Sequence, residues 1–320
     1  MKIFVTRKVP FWEEEVKPLV TAGYEIVVRT KNSAITTDEL TTELAKGYDG
    51  LLTLLTDKIT APVLDADKNK QLKVIANYAV GFDNIDVAAC KTRQIIVTNT
   101  PSEAVNESVA EMAWTLMLAL SRRLGEASRF MENAAYTGWE PDIFIGEDMK
   151  GKTLGIVGMG RIGSMVARRA SGFDMKVMYF ARKPLEGVNF EYTSELARLL
   201  KSADYVTLHV PLTAETTHLI NGKNLPLFKK SAYLVNTARG PVVNEAEVAE
   251  ALRAGMLAGY GADVLENEPH PHPELLQMEN VLLTPHIASA TATARQDMTR
   301  IAVANLQAGL SGQQPPNMVQ

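Results

Sequence analysis

A single cysteine, Cys90, occurs in the 320 residues, so an internal disulfide is excluded and a reducing compartment fits. It lies in the apolar stretch Val87-Ala88-Ala89-Cys90, where a small buried thiol is expected rather than a nucleophile. No apolar run approaches the ~20 residues that span a bilayer. The start, Met1-Lys2-Ile3-Phe4-Val5-Thr6, lacks the longer apolar core of a signal peptide. Long basic runs are missing and the net charge is −4, which makes nucleic acid and anionic membrane surfaces poor partners. Internal repeats, low-complexity tracts and flexible linkers are missing too. What is present, 46% hydrophobic and 22% charged residues, describes a soluble globular protein, expected to be cytoplasmic. Its length suggests about two domains.

The first hundred residues alternate short apolar runs with helix-length segments. The runs are Lys2 to Thr6, Tyr24 to Arg29, Gly50 to Leu55, Lys73 to Ala76 and Ile95 to Asn99. Such alternation implies βαβ units and a parallel sheet. Ser108 and Glu111 have the spacing of a capping box at the head of a long helix. Met112 to Leu120 in that helix is apolar nearly all round, so more than one face must be buried. A second series begins at Thr153 to Val157 and continues through Lys176 to Phe180, Tyr205 to Leu208, Ala232 to Asn236, Tyr260 to Ala262 and Val281 to Thr284. Ala292 to Leu310 has helical character.

Gly158-Met159-Gly160-Arg161-Ile162-Gly163 places G-x-G-x-x-G directly after an apolar run and before a helix. Gly158 permits the tight turn, Gly160 lets backbone approach a pyrophosphate, and Gly163 permits close helix–strand packing. The helix N-terminus then offers free N–H groups and a positive dipole end to phosphate. The next strand ends in Tyr179-Phe180-Ala181-Arg182-Lys183, with two cations where a ribose-binding acid would stand. Arginine suits a 2′-phosphate, so the cofactor expected is NADP(H) in preference, with NAD(H) possible in principle. The fold class that follows is α/β, with two doubly wound parallel-sheet domains and a cleft between them. A flavodoxin-like substrate domain would take residues 1–98 plus 288–320, and a Rossmann cofactor domain residues 99–287.

Three further segments carry candidate chemistry, each at the carboxyl end of an expected strand, where doubly wound sheets bind ligands. They are Asn236-Thr237-Ala238-Arg239-Gly240, Ala262-Asp263-Val264-Leu265-Glu266-Asn267-Glu268-Pro269, and Leu283-Thr284-Pro285-His286-Ile287-Ala288-Ser289. Taken singly, each has a plain structural explanation. Together with Val80-Gly81-Phe82-Asp83-Asn84-Ile85-Asp86 and the glycine turn, in this order, they resemble the D-2-hydroxyacid dehydrogenase family over nearly the whole chain.

The resemblance implies that Arg239, Glu268 and His286 are the catalytic set. It implies that Asp263 binds the nicotinamide carboxamide, with Pro211 and Thr237 as further cofactor contacts. The chemistry agrees with those roles. Charge left on the oxygen of a reduced 2-oxo carbon needs a proton, and histidine is suited to supply one near neutral pH. A glutamate on its other ring nitrogen favours the imidazolium and orients it. Arg239 can bond a substrate carboxylate and polarise the carbonyl. The N–H groups of Val80 and Gly81 can hold the remaining carboxylate oxygen. His270-Pro271-His272 lacks metal-ligand spacing and is expected to be a surface loop, with no metal site.

Leu51 to Asp57, Gly138-Trp139, Pro285 to Thr291 and Asn305 to Leu310 resemble the family's glyoxylate/hydroxypyruvate reductases. Leu54, Val80, Gly81, Arg239, His286 and Ser289 would then meet the substrate. Phosphoglycerate dehydrogenases of the family carry a basic residue where Leu54 stands, and an apolar side chain cannot neutralise a phosphate. Phosphite dehydrogenases carry a lysine where Val80 stands. A larger branched-chain or aromatic 2-oxo acid is the alternative substrate. A nucleotide-sensing corepressor is the alternative class, disfavoured because no disordered extension is present to recruit partners. Family members pair through the long helix, so the resemblance implies a homodimer with Trp139 near the partner subunit's active site.

Overall fold

The computed structural model describes residues 1–319. Two compact units are present: Met1–Val105 with the segment from Ala290 onward, and Asn106–Ser289. The breaks expected at 98/99 and 287/288 thus fall instead within the first turn of the helix Glu103–Ser121 and after Ser289.

The first unit carries β1 (Lys2–Val5), β2 (Glu25–Val28), β3 (Gly50–Leu54), β4 (Val74–Tyr78) and β5 (Ile96–Thr98). They form a parallel sheet in the order β2-β1-β3-β4-β5, a doubly wound arrangement of the flavodoxin type. The central strands β3 and β4 are buried along almost their whole length, as strands covered on both faces must be. The helix Ala292–Leu310 packs on this sheet with Met298, Ala302, Leu306 and Leu310 buried. Cys90 is fully buried, and burial pushes its thiol up to about 12, which removes the thiolate a nucleophile needs.

The second unit carries β6 (Thr153–Val157), β7 (Lys176–Phe180), β8 (Glu191–Thr193), β9 (Tyr205–Leu208), β10 (Tyr233–Asn236), β11 (Gly259–Ala262) and β12 (Val281–Leu283). The order is β12-β11-β10-β9-β6-β7-β8, all parallel, and it reverses direction between β6 and β9. That switch point is where a doubly wound sheet opens a crevice at its carboxyl edge. Strand β8 escaped the sequence reading. At three residues, Glu-Tyr-Thr, it has no apolar run to betray it.

The long helix needs a correction. It begins at Glu103, and Ser102 caps it by accepting a hydrogen bond from Val105 N (3.1 Å). Ser108 is therefore interior to the helix, and its hydroxyl donates to Ala288 O at 2.6 Å. The spacing to Glu111 favours Ser108, but Ser102 is the serine that follows a proline, which cannot extend a helix backwards at low cost. Ala110, Ala113, Trp114, Leu116, Met117 and Leu120 are buried, while Glu111 and Thr115 face solvent.

Candidate active site

The glycine turn follows β6 at the switch point. Gly158 has φ +99°, and a Cβ there would lie 2.8 Å from the backbone of His209 at the end of β9. Gly163, in the helix Arg161–Arg169, sits so close that a Cβ would come within 2.2 Å of Gly158 O. Gly160 has nothing within 4 Å, which leaves the N-terminus of that helix open to an incoming group. Met159 is buried, Ile162 half-buried and Arg161 exposed.

Two polar atoms at this edge of the sheet are buried and unpaired: His209 Nδ1, beside the turn, and Thr237 Oγ1, just after β10. The His209 ring keeps one bond, Nε2 to Thr207 Oγ1 at 3.0 Å, and burial pushes its pKa down to about 3, so it stays neutral. A glycine cradle, an open helix N-terminus and orphaned donors and acceptors fit a dinucleotide. Arg182 and Lys183 follow β7 directly, and no ion pair within 4 Å engages either of them among the described residues. Pro211 is exposed just beyond β9, its carbonyl accepting from Thr216 Oγ1 at 2.6 Å.

The three chemical segments lie at the carboxyl ends of successive strands β10, β11 and β12. After β10, Asn236 folds the chain into a turn: its Oδ1 accepts from Ala238 N (3.0 Å) and its Nδ2 donates to Arg239 O (2.9 Å). The Arg239 guanidinium is half-buried and donates to Ala238 O at 2.8 Å. After β12, His286 adopts φ +56°, a left-handed conformation that non-glycine residues rarely take. Its Nδ1 meets Glu268 Oε2 at 3.0 Å and Oε1 at 3.1 Å. Partial burial alone would raise the Glu268 carboxyl. The hydrogen bond and charge of His286, the N–H of Leu265 and the charge of Arg239 outweigh it, and the net pKa is lowered.

Asp263 holds the histidine turn. It is fully buried, and its Oδ1 accepts from Thr284 Oγ1 (2.5 Å) and Ile287 N (2.8 Å). Its Oδ2 accepts from Ala288 N (2.6 Å), so the carboxylate braces the loop on both sides of His286. This bracing escaped the sequence reading, which had Asp263 only as a cofactor contact. The signal was available in part, since Thr284 and Asp263 end neighbouring strands. Ser289 is half-buried at the end of the same loop.

The first unit places Leu54 at the end of β3, its N–H donated to Asp57 Oδ2 (2.8 Å) and its carbonyl accepting from Asn84 Nδ2 (3.0 Å). Val80 and Gly81 follow β4 in an exposed turn, and neither N–H is donated to a protein group among the described residues.

A parallel sheet with a dinucleotide turn at its switch point, and a histidine–carboxylate pair beside an arginine on the same edge, define a nicotinamide-dependent oxidoreductase. Residues 114–288 match the NAD-binding domain of the D-isomer specific 2-hydroxyacid dehydrogenases. The chain belongs to that family, whose members are oxidoreductases acting on CH–OH groups. It is 43% identical over 326 residues to a glyoxylate reductase of Thermococcus litoralis, covering 99% of this chain and 96% of that protein. A solved protein from Thermus thermophilus matches with a TM-score of 0.94 at 41% identity, covering 100% of both chains. An NADPH-dependent glyoxylate/hydroxypyruvate reductase from Sinorhizobium meliloti, solved with NADP and malonate, matches at 31% identity. Its TM-score is 0.85, over 99% of this chain and 96% of that one. No helix among the described residues is long and apolar enough to cross a membrane.

Proposed function

We propose that the protein is an NADPH-preferring glyoxylate/hydroxypyruvate reductase. The observation that carries the chemistry is the His286–Glu268 pair at 3.0 Å, on the edge of the sheet that also holds Arg239 and the glycine turn. The bound cofactor supplies the hydride that reduces the 2-oxo carbon. With Nδ1 turned to Glu268, His286 keeps Nε2 for the substrate and gives its proton to the developing alkoxide. The Glu268 carboxylate stabilises the charged ring and fixes its orientation. The ring is neutral after the step and is recharged from solvent. Arg239 bonds the substrate carboxylate and polarises the carbonyl, and the free N–H groups of Val80 and Gly81 hold the second carboxylate oxygen. Leu54 and Ser289 complete the substrate contacts, and Thr237, Pro211 and Asp263 those of the cofactor.

The substrate reading is supported by apolar Leu54, which offers no charge to a phosphate, and by the glyoxylate reductases among the relatives. A panel of glyoxylate, hydroxypyruvate, pyruvate, 4-methyl-2-oxopentanoate and phenylpyruvate tests it. Highest kcat/KM with the last two would replace this reading by a larger-substrate dehydrogenase. Binding of cofactor without any turnover would favour a nucleotide-sensing protein.

The cofactor preference rests on Ala181-Arg182-Lys183 after β7, two cations and no acid. Hydrogen bonds to charged groups are worth about 1.5–3 kcal/mol each, so R182A/K183A should lose at least about tenfold in NADPH affinity and leave NADH nearly unchanged. Equal kcat/KM for both cofactors in wild type, at fixed ionic strength, would overturn the preference.

The assembly proposed is a homodimer. Leu124, Met131, Ile145 and Trp139 are exposed along one stretch, Trp139 at 82%, and that much apolar surface is usually covered by a partner. A monomeric mass by light scattering at micromolar concentration would remove it.

A further inference from the structure

The turn after β4 shows an arrangement that its sequence does not announce. Four successive carbonyls are tied down: Ala79 O by Thr100 N (2.9 Å), Val80 O by Asn99 Nδ2 (2.7 Å), Gly81 O by Asn77 Nδ2 (2.8 Å) and Phe82 O by Ile85 N (3.0 Å). The three N–H groups between them, of Val80, Gly81 and Phe82, are donated to no protein group among the described residues. A trans peptide directs its C=O and N–H to opposite sides. Fixing the carbonyls of Ala79, Val80 and Gly81 therefore turns the N–H groups of Val80, Gly81 and Phe82 the other way, as a row of free donors. Successive free N–H groups make an anion-binding concavity.

The side chains that fix those carbonyls are themselves held. Asn77 is fully buried at the end of β4 and exchanges amide bonds with Asn84, at 3.2 and 3.3 Å. Asn84, also buried, donates to the carbonyls of Leu54 and Asp57, at 3.0 Å each. The network thus joins the Leu54 loop to the Val80–Phe82 turn.

We propose that Asn77 and Asn99 are positioning residues for carboxylate recognition: by holding the carbonyls of Gly81 and Val80, they aim three backbone N–H groups, with Phe82 N–H as the third, at the substrate carboxylate. This rests on the reading of the protein as a 2-oxo acid reductase. Without the Asn99 amide the Val80–Gly81 peptide is free to rotate, and Gly81 N–H no longer points with its neighbours. Asn77→Asp is isosteric but sets a carboxylate oxygen against Gly81 O, which repels the Gly81–Phe82 peptide.

The test compares wild type with N99A and N77D for glyoxylate KM, kcat, NADPH dissociation constant and binding of oxalate by titration calorimetry. Oxalate is an unreactive dianion that carries the same carboxylate. The expected result is a rise of about tenfold in glyoxylate KM and in the oxalate dissociation constant for each variant, with kcat and NADPH binding changed by less than about threefold. A merely structural role would lower thermal stability and kcat while leaving that split absent. N99A keeps its backbone bonds to Asn317 and Asn305, so it decides the matter if N77D fails to fold. Unchanged KM and oxalate binding in folded N99A would overturn the proposal. If wild type reduces no 2-oxo acid, the functional reading fails, and the oxalate titration alone still decides this one. No oxalate binding to wild type overturns it.

Discussion

Two turns are held in place by opposite means. In the dinucleotide unit, a buried carboxylate, Asp263, collects the Thr284 hydroxyl and the N–H groups of Ile287 and Ala288, so the donors around His286 are consumed. In the other unit, the amides of Asn77 and Asn99 donate to carbonyls, so the acceptors of the Val80–Phe82 turn are consumed and its donors stay free. A turn meant for an anion keeps its N–H groups available. A turn with the role proposed for His286 does not, because free N–H groups would add positive potential beside the ring. The kind of side chain used as a brace thus matches the role proposed for each turn.

The largest effect that can break this comparison is at the ring itself. Replacement of His286 by Gln should lower kcat by about 10²–10⁴-fold, the usual range for general acid–base catalysis, with NADPH affinity almost unchanged. Near-native turnover of the purified variant would remove His286 from the chemistry, and the Asp263 brace would then support nothing catalytic.

The brace gives the second effect. Asp263→Ala strips three donors of their acceptor in a fully buried place, so unfolding free energy should fall by at least about 1–3 kcal/mol. Because φ +56° at His286 is held only by its surroundings, kcat should fall together with stability. If Asp263 serves the cofactor alone, KM for NADPH rises and stability and kcat stay near wild type. Urea unfolding and steady-state kinetics on one preparation separate the two.

The placement of the candidate residues was legible in the sequence, and the reason is where they sit. The glycine turn, Arg239, Glu268 and His286 lie in short motifs just after apolar runs, so period and motif point to the same edge of one sheet. The buried braces were not legible. Asn77, Asn84 and Asn99 are amides scattered along the sequence, and only the pairing of β3, β4 and β5 brings them to one end of the sheet. Asp263 was visible, but its three donors come from residues that only the adjacency of β11 and β12 places beside it. Ser108 misled for a related reason: a capping pattern recurs inside helices, and what a serine bonds depends on tertiary neighbours.

The smallest effect sharpens the contrast between a brace and a working carboxylate. Glu268, unlike Asp263, has an ionisable partner, and the side chains of the pair are 31% (His286) and 38% (Glu268) exposed. Screening by solvent limits such a pair to roughly 0.2–1 kcal/mol. The Glu268 carboxyl lies below its ordinary 4.5 in the folded protein. A depressed carboxyl contributes stability that is present above the unfolded value and is lost as pH falls through the folded one. The difference in unfolding free energy between wild type and Glu268→Gln should therefore be a few tenths of a kcal/mol or more at about pH 6 and shrink as pH falls below 4.5. Urea denaturation of both proteins across that interval measures it, with the shared acid sensitivity of the fold cancelling in the difference. A gap that stays constant with pH would mean that Glu268 holds the ring by shape and hydrogen bonding alone. Its charge would then contribute nothing to the folded state, and Glu268 would belong with Asp263 among the braces.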